Sequence, residues 1–148
     1  MAVLDPGRQE RPWTEFFNSL FEGGWKKVAP LIVRRDKGQV SPEGVRLLRE
    51  LEDTCRKMAE DLFGRDRRSG SAAARSALNA ARRFGETPVG VLRFSRWAEY
   101  MARRRERSGD YKEANFFRRF ARAAYAVAGD EEGVAVLFDV LEGVVAYV

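Results

Sequence analysis

Between residues 88 and 107, arginine recurs in a pattern that could bind phosphate groups. At about 100° per residue in an α-helix, five arginines and one tyrosine fall on the side of this segment away from its apolar residues Phe94, Trp97, Ala98 and Met101. They are Arg93, Arg96, Tyr100, Arg103, Arg104 and Arg107, named here the arginine ladder. A guanidinium group bonds phosphate oxygens in pairs, and a tyrosine ring stacks on unpaired bases. The ladder therefore predicts contact with a nucleic-acid backbone.

Two other partners would also neutralise the ladder. Like charges on one helix face repel one another, so the pattern needs opposite charge nearby. Carboxylates of neighbouring helices could supply it, and so could an acidic surface on another protein. No groove-reading helix-turn-helix motif and no aromatic RNP-type motif accompanies the ladder. Binding to nucleic acid is therefore expected to follow backbone shape and not base sequence.

The chain lacks the residues that most often carry catalysis. It has no histidine, the usual general base and zinc ligand, and a single cysteine, Cys55. Cys55 lies at helical spacing with Leu51 and Met58, so we interpret it as a small buried hydrophobe. Glu50 and Asp53, with Glu52 between them, alternate with basic residues and predict surface ion pairs. We expect no enzymatic activity, no metal and no cofactor.

Helices are predicted to hold these residues in place. Capping residues precede apolar, helically spaced segments at Ser41, Thr87, Asp110 and Asp130, and proline follows the first two. No segment reads as a strand. The predicted fold is all-α, a compact bundle of five to six helices in a single domain of residues 1–148. Residues 1–11 are predicted to be a flexible tail, and residues 65–71 a flexible basic loop.

The last predicted helix, residues 130–148, contains no lysine or arginine. Its apolar residues cover most of the circumference, which predicts burial on more than one side. A second apolar seam runs from Leu48 to Leu62, and we expect it to meet the seam from Val134 to Val148 in one core. Trp13, Trp25 and Trp97 are also assigned to the core.

The helix that follows Asp110 is predicted to add to the basic surface. Phe117 and Phe120 would line its buried side, together with Ala121, Ala124 and Ala128. The outer side is predicted to carry Arg118, Arg119 and Arg122.

The charge of the chain is unevenly distributed. Residues 65–122 hold sixteen basic and six acidic side chains, whereas residues 123–148 hold five acidic and none that is basic. Of the 27 cations 22 are arginine, which favours bidentate phosphate binding, although genome composition or a hot habitat could produce the same bias. No segment is long and apolar enough to cross a membrane, and residues 1–6 do not read as a signal peptide. We therefore expect a cytoplasmic protein with no membrane contact.

Three segments, in order, resemble the small helical subunit of type III-A CRISPR effector complexes, the Csm small subunit. Residues 36–48 (DKGQVSPEGVRLL) are similar to that family's turn and helix opening with an early arginine, here Arg46. Tyr100-x-Ala102-x-Arg104 resembles its helix ending in tyrosine, alanine and arginine. Residues 141–147 (LEGVVAY) resemble its C-terminal helix. Pro42 and Gly44 stand where the family has polar residues, and residues 65–86 read as additional material.

The resemblance implies a non-catalytic RNA-binding role. Several copies would associate head to tail into a filament, with guide RNA, target RNA and the other subunits of the complex as partners. Their basic faces would line the guide–target duplex, while cutting and signalling would belong to other subunits. Arg46 and Arg104 match the family's positions. Two different functions remain open: a stand-alone nucleoid-type or viral DNA-binding protein, and a protein-interaction module with an acidic partner.

Overall fold

The computed structural model describes residues 11–33, 40–63 and 67–148. Within these ranges the α-helices are α1 (Thr14–Ser19), α2 (Trp25–Val33), α3 (Pro42–Phe63), α4 (Arg67–Phe84), α5 (Pro88–Arg107), α6 (Tyr111–Val127) and α7 (Glu131–Ala146). A π-helical segment, Leu20–Gly24, joins α1 to α2 through a kink at which Gly23 adopts a φ of 124°. These two helices therefore form one bent segment, and the bundle has six helical segments. The described residues contain no strand, and the all-α prediction is confirmed.

Four of the helices begin at the capping residues that the sequence predicts. The side-chain oxygens of Ser41, Thr87, Asp110 and Asp130 each accept a hydrogen bond, of 2.9 to 3.1 Å, from the backbone N–H three residues further on. The N–H groups in the first turn of a helix have no acceptor within the helix, and these side-chain oxygens serve as acceptors for them. The starts of α3, α5, α6 and α7 are thus determined locally.

Helix α6 runs through the centre of the bundle, and residues 113–121 are all buried. It packs along α5, with which it forms the most extensive contact in the molecule. One of its aromatic rings meets α1, since the ring centroids of Phe120 and Phe17 lie 5.2 Å apart. Within α6, the ring centroids of Phe116 and Phe120 lie 4.9 Å apart. Trp13 is buried with them, whereas Trp25 and Trp97 are half-buried at the edge of the core.

The two apolar seams meet as predicted. The Cys55 thiol of α3 donates a hydrogen bond to the Val140 carbonyl of α7 over 3.7 Å. A Cβ atom added to Gly143 would lie 2.6 Å from the Cys55 sulfur, so glycine is what allows these helices to approach so closely. Helix α7 also packs against α2, α4 and α6, which confirms burial on more than one side. Leu48, at the edge of its seam, is half-buried.

The prediction of a flexible basic loop at residues 65–71 is wrong for residues 67–71, which form the first turn of α4. Gly70 explains why. A Cβ atom there would lie 2.3 Å from the Leu62 carbonyl oxygen, so the glycine lets α4 pack against the end of α3. The Ser69 hydroxyl also donates to the buried Glu113 carboxylate over 2.7 Å. Tertiary contacts thus stabilise a turn that composition assigns to a loop.

Several predicted features lie outside the described residues. These are the tail up to residue 10, the turn at residues 36–38 and residues 64–66. Arg11, at the end of the predicted tail, is ordered: its guanidinium lies 3.7 Å from the Asp61 carboxylate, and its N–H donates to the Thr14 hydroxyl.

Candidate nucleic-acid interface

Helix α5 presents the arginine ladder to solvent. All five arginines of the ladder are exposed, and Tyr100 has 56% of its surface accessible. Among the apolar residues of the same helix, Phe94 and Ala98 are buried, and Trp97 and Met101 are half-buried. The amphipathic pattern predicted for this helix is confirmed.

Few carboxylates neutralise the ladder. Arg103 Nε lies 3.7 Å from a Glu99 oxygen one turn earlier, and the Arg104 guanidinium lies 5.8 Å from the centre of the Tyr100 ring. Across the part of the chain that the structure describes, no ion pair joins a carboxylate to Arg93, Arg96, Arg104 or Arg107. The described neighbouring helices therefore leave most of the repulsion within the ladder in place.

Arg118 and Arg119 are not on the outer side of α6, so that prediction is wrong. Their exposed fractions are 8% and 7%. Arg118 Nε lies 3.4 Å from a Glu99 oxygen, and Arg118 also pairs with Glu106. Arg119 Nη1 donates to the side-chain oxygen of Asn18 over 3.1 Å. Because α5 covers one side of α6 and the π-helical segment approaches another, only a narrow side of α6 reaches solvent.

Arg122 does lie on that narrow side, as predicted, and is exposed. It lines a groove between α5 and α6 whose volume is about 710 Å³. The small residues Ser95 and Ala121 form its floor, and the Ser95 hydroxyl donates to the Ala121 carbonyl over 2.7 Å. The walls consist of longer side chains: Leu92, Arg96, Glu99, Tyr100 and Arg103 from α5, and Arg122 and Tyr125 from α6. We call this feature the α5–α6 groove.

Sequence reasoning missed Tyr125, which is 73% exposed in the wall of this groove. Tyr125 follows Arg122 by three residues and so shares its side of α6. The signal was available, but it could be used only after Arg118 and Arg119 had been assigned to the buried side.

Arg46 is exposed on α3, away from the α5–α6 groove. Helix α3 packs chiefly against α4 and α7, whereas α5 packs against α6 and α4. Arg46 is therefore not a neighbour of the groove residues. Of the ten predicted site residues, the groove brings together Arg96, Tyr100, Arg103 and Arg122.

The N-terminal end of α5 is acidic. Glu86, Asp130 and Glu131 line a second groove, of about 510 Å³, formed by the turns that lead into α5 and α7. Carboxylates there complement the positive ends of the helix dipoles. The last turn of α5 is instead basic, with Arg104, Arg105 and Arg107. Carboxylates thus lie in the turns near the start of α5 and arginines in its last turn, an order that complements the helix dipole.

Two of the remaining ionisable groups, Glu113 and Cys55, connect helices to one another. Glu113 accepts hydrogen bonds from Ser69 on α4 and, over 2.9 Å, from Arg105 Nε on α5, and burial raises the pKa of its carboxyl group. Burial likewise raises the pKa of Asp139, and it raises that of the Cys55 thiol to about 12. No cluster suited to holding a metal ion occurs among residues 11–33, 40–63 and 67–148.

Comparison with known proteins finds no matching family model, no matching curated protein and no matching solved structure. None of the helices described here has both the length and the apolar composition needed to cross a membrane.

Proposed function

We propose that this protein is a non-catalytic RNA-binding protein that contacts the RNA backbone through the arginine ladder of α5. The observation that carries the proposal is the exposure of Arg93, Arg96, Arg104 and Arg107 without a carboxylate partner among the described residues. Phosphate is the counter-charge that guanidinium geometry suits best. The ladder lies on one helix, so the backbone holds the attachment points of its side chains at regular spacing along a surface.

The more specific form of the proposal is a small subunit of a type III CRISPR effector complex. The resemblance at residues 36–48, 100–104 and 141–147 supports it, as does the all-α fold. In this role, copies of the chain associate head to tail in the cytoplasm beside guide RNA, target RNA and the other subunits. The ladder and Arg122 bind phosphates, Arg46 contributes from a separate surface, and Arg118 and Arg119 support α6 from within.

The decisive experiment measures RNA affinity as a function of salt concentration. The tagged chain would be purified from its native cells with whatever RNA and proteins accompany it, and both the assembly and the isolated chain would be titrated with labelled single-stranded RNA. Each arginine that contacts a phosphate should contribute about 0.7 to the slope of log K against log salt. Replacing Arg103, Arg104 and Arg107 by glutamine should lower that slope by up to about 2.

A matched control variant removes three positive charges from a different helix. Arg49, Arg56 and Lys57 lie on α3, and their replacement by glutamine should leave the slope of the assembly unchanged. Equal slopes for the parent and the α5 variant would refute the ladder as an RNA surface. Tighter binding to duplex DNA would indicate a stand-alone DNA-binding protein, and copurification of an acidic protein without RNA would indicate an interaction module.

A further inference from the structure

The exposed aromatic and aliphatic side chains of the described residues concentrate at one place. Six large hydrophobic residues are exposed, and three of them, Leu92, Tyr100 and Tyr125, line the α5–α6 groove. Their exposed fractions are 43%, 56% and 73%. Tyr147, by contrast, donates its hydroxyl to Glu52 over 2.7 Å. A recess with two accessible tyrosine rings differs from scattered surface residues and marks a binding surface.

The packing of α5 on α6 creates the recess. Ala98, Ala102 and Ala124 are fully buried between or beside these helices, and small residues allow two helices to approach closely. The Ser95 hydroxyl is already used by the Ala121 carbonyl, so the floor offers an apolar surface and no unsatisfied donor. A planar apolar group fits such a floor better than a polar one.

Charge around the groove selects an anionic ligand. Arg96, Arg103 and Arg122 stand in its walls. The single carboxylate there, Glu99, lies within 3.7 Å of Arg103 and 3.4 Å of Arg118, so its charge is compensated from two sides. A ligand with planar rings and regularly spaced negative charges matches this combination, and single-stranded nucleic acid has both.

A duplex would use this groove poorly. Its bases are stacked on one another inside the helix, so only their edges and the phosphates reach a protein. An unpaired strand can turn its bases outward onto aromatic rings. The groove volume of about 710 Å³ also falls within the usual range for sites that take a small organic ligand, about 300–1,000 Å³.

We infer that the α5–α6 groove binds an unpaired base of single-stranded RNA, stacked on Tyr100 and Tyr125, while Arg96, Arg103 and Arg122 bind the adjoining phosphates. This inference rests on the proposed function and specifies its ligand: the chain prefers an unpaired or splayed strand over a closed duplex. In this respect it differs from the expectation, drawn from the family resemblance, that the basic faces line a closed guide–target duplex. Tyr125 thereby becomes a binding residue, although the arginine ladder does not include it.

The test compares tyrosine variants on three ligands: single-stranded RNA, the same RNA as a closed duplex, and an abasic strand of equal length. Tyr100→Leu and Tyr125→Leu should each weaken single-strand binding about five- to a hundred-fold, because a stacked base contributes that much. Duplex affinity and the salt slope should not change, since the phosphate contacts remain. The parent should bind the abasic strand about as weakly as the double variant binds intact RNA. Tyr111→Leu, at an exposed tyrosine outside the groove, is the matched control.

The outcomes separate the two proposals. If the double variant binds single-stranded RNA as tightly as the parent, with the parent's salt slope, base stacking is overturned and the backbone-binding function stands. A parent that prefers the duplex also overturns the inference alone. If the parent shows no salt-dependent binding to any nucleic acid, either as the isolated chain or in its assembly, both proposals fall.

Discussion

Helices α5 and α7 differ in how much of their surface the rest of the bundle covers. Near the end of α7, two polar groups pair with neighbouring helices at the protein surface: Glu142 lies 3.4 Å from Arg82, and Tyr147, which follows the helix, donates a hydrogen bond to Glu52. On α5, four ladder arginines have no carboxylate partner among the described residues. The apolar seam of α7 is covered by four helices, whereas α5 leaves one whole side to solvent. Helix α7 thus contributes mainly to the core, whereas α5 keeps the arginine ladder exposed at the surface, where the proposed RNA would bind.

The largest expected effect is on the reactivity of Cys55, at the contact between α3 and α7. The thiol is 1% exposed and burial raises its pKa to about 12, so little thiolate forms at ordinary pH. A thiol reagent should modify the folded protein at least about a hundredfold more slowly than the protein unfolded in urea. Equal rates in both states would mean that the α3–α7 contact is open. Helix α7 would then not be the buried helix of the pair.

The next effect is on the free energy of unfolding. Leu141 of α7 is 1% exposed, and replacing it by alanine should destabilise the protein by about 2–5 kcal/mol, since it leaves a cavity. The same replacement at Leu92 of α5, which is 43% exposed, should cost about 0.5 kcal/mol. Urea denaturation of both variants measures the difference. Similar losses at the two positions would contradict the contrast between the helices.

A smaller effect on the free energy of unfolding is expected at Arg118, a buried arginine of α6. Arg118→Met removes the partner of Glu99 and Glu106 and should destabilise the protein by about 1–3 kcal/mol. The two carboxylates are partly exposed, so water compensates for some of the loss. The exposed Arg107→Met variant is the control and should unfold like the parent. If both variants unfold alike, Arg118 does not stabilise the contact between α5 and α6.

Local chemistry made much of the fold predictable. Ser41, Thr87, Asp110 and Asp130 cap their own helices, and such signals depend only on residues a few positions apart. The seam around Leu141 was readable because apolar residues at helical spacing must be covered. The start of α4 was not readable, because it depends on Gly70 fitting beneath the Leu62 carbonyl, a contact between two helices.

The candidate site was predictable on one helix only. The exposed side of α5 follows from its own periodicity, so the five arginines and Tyr100 were placed correctly. For α6, sequence alone could not show that it is central. An arginine paired with glutamates of another helix has the same local sequence as an arginine in water. Arg118 and Arg119 were therefore assigned to the surface, and Tyr125 was overlooked.

The order of charges along α5 has a consequence for the proposed encounter with RNA. Glu86, Asp130 and Glu131 lie at the start of the helix, and Arg104, Arg105 and Arg107 lie in its last turn. These side chains therefore form a charge dipole whose positive end lies at the C-terminal end of α5. If the protein binds RNA as proposed, the field of that polyanion would exert a torque on this dipole and turn the C-terminal end of α5 toward the strand before contact. The orientation of the bound protein is then selected during diffusion, and this selection should weaken as added salt shortens the range of the field.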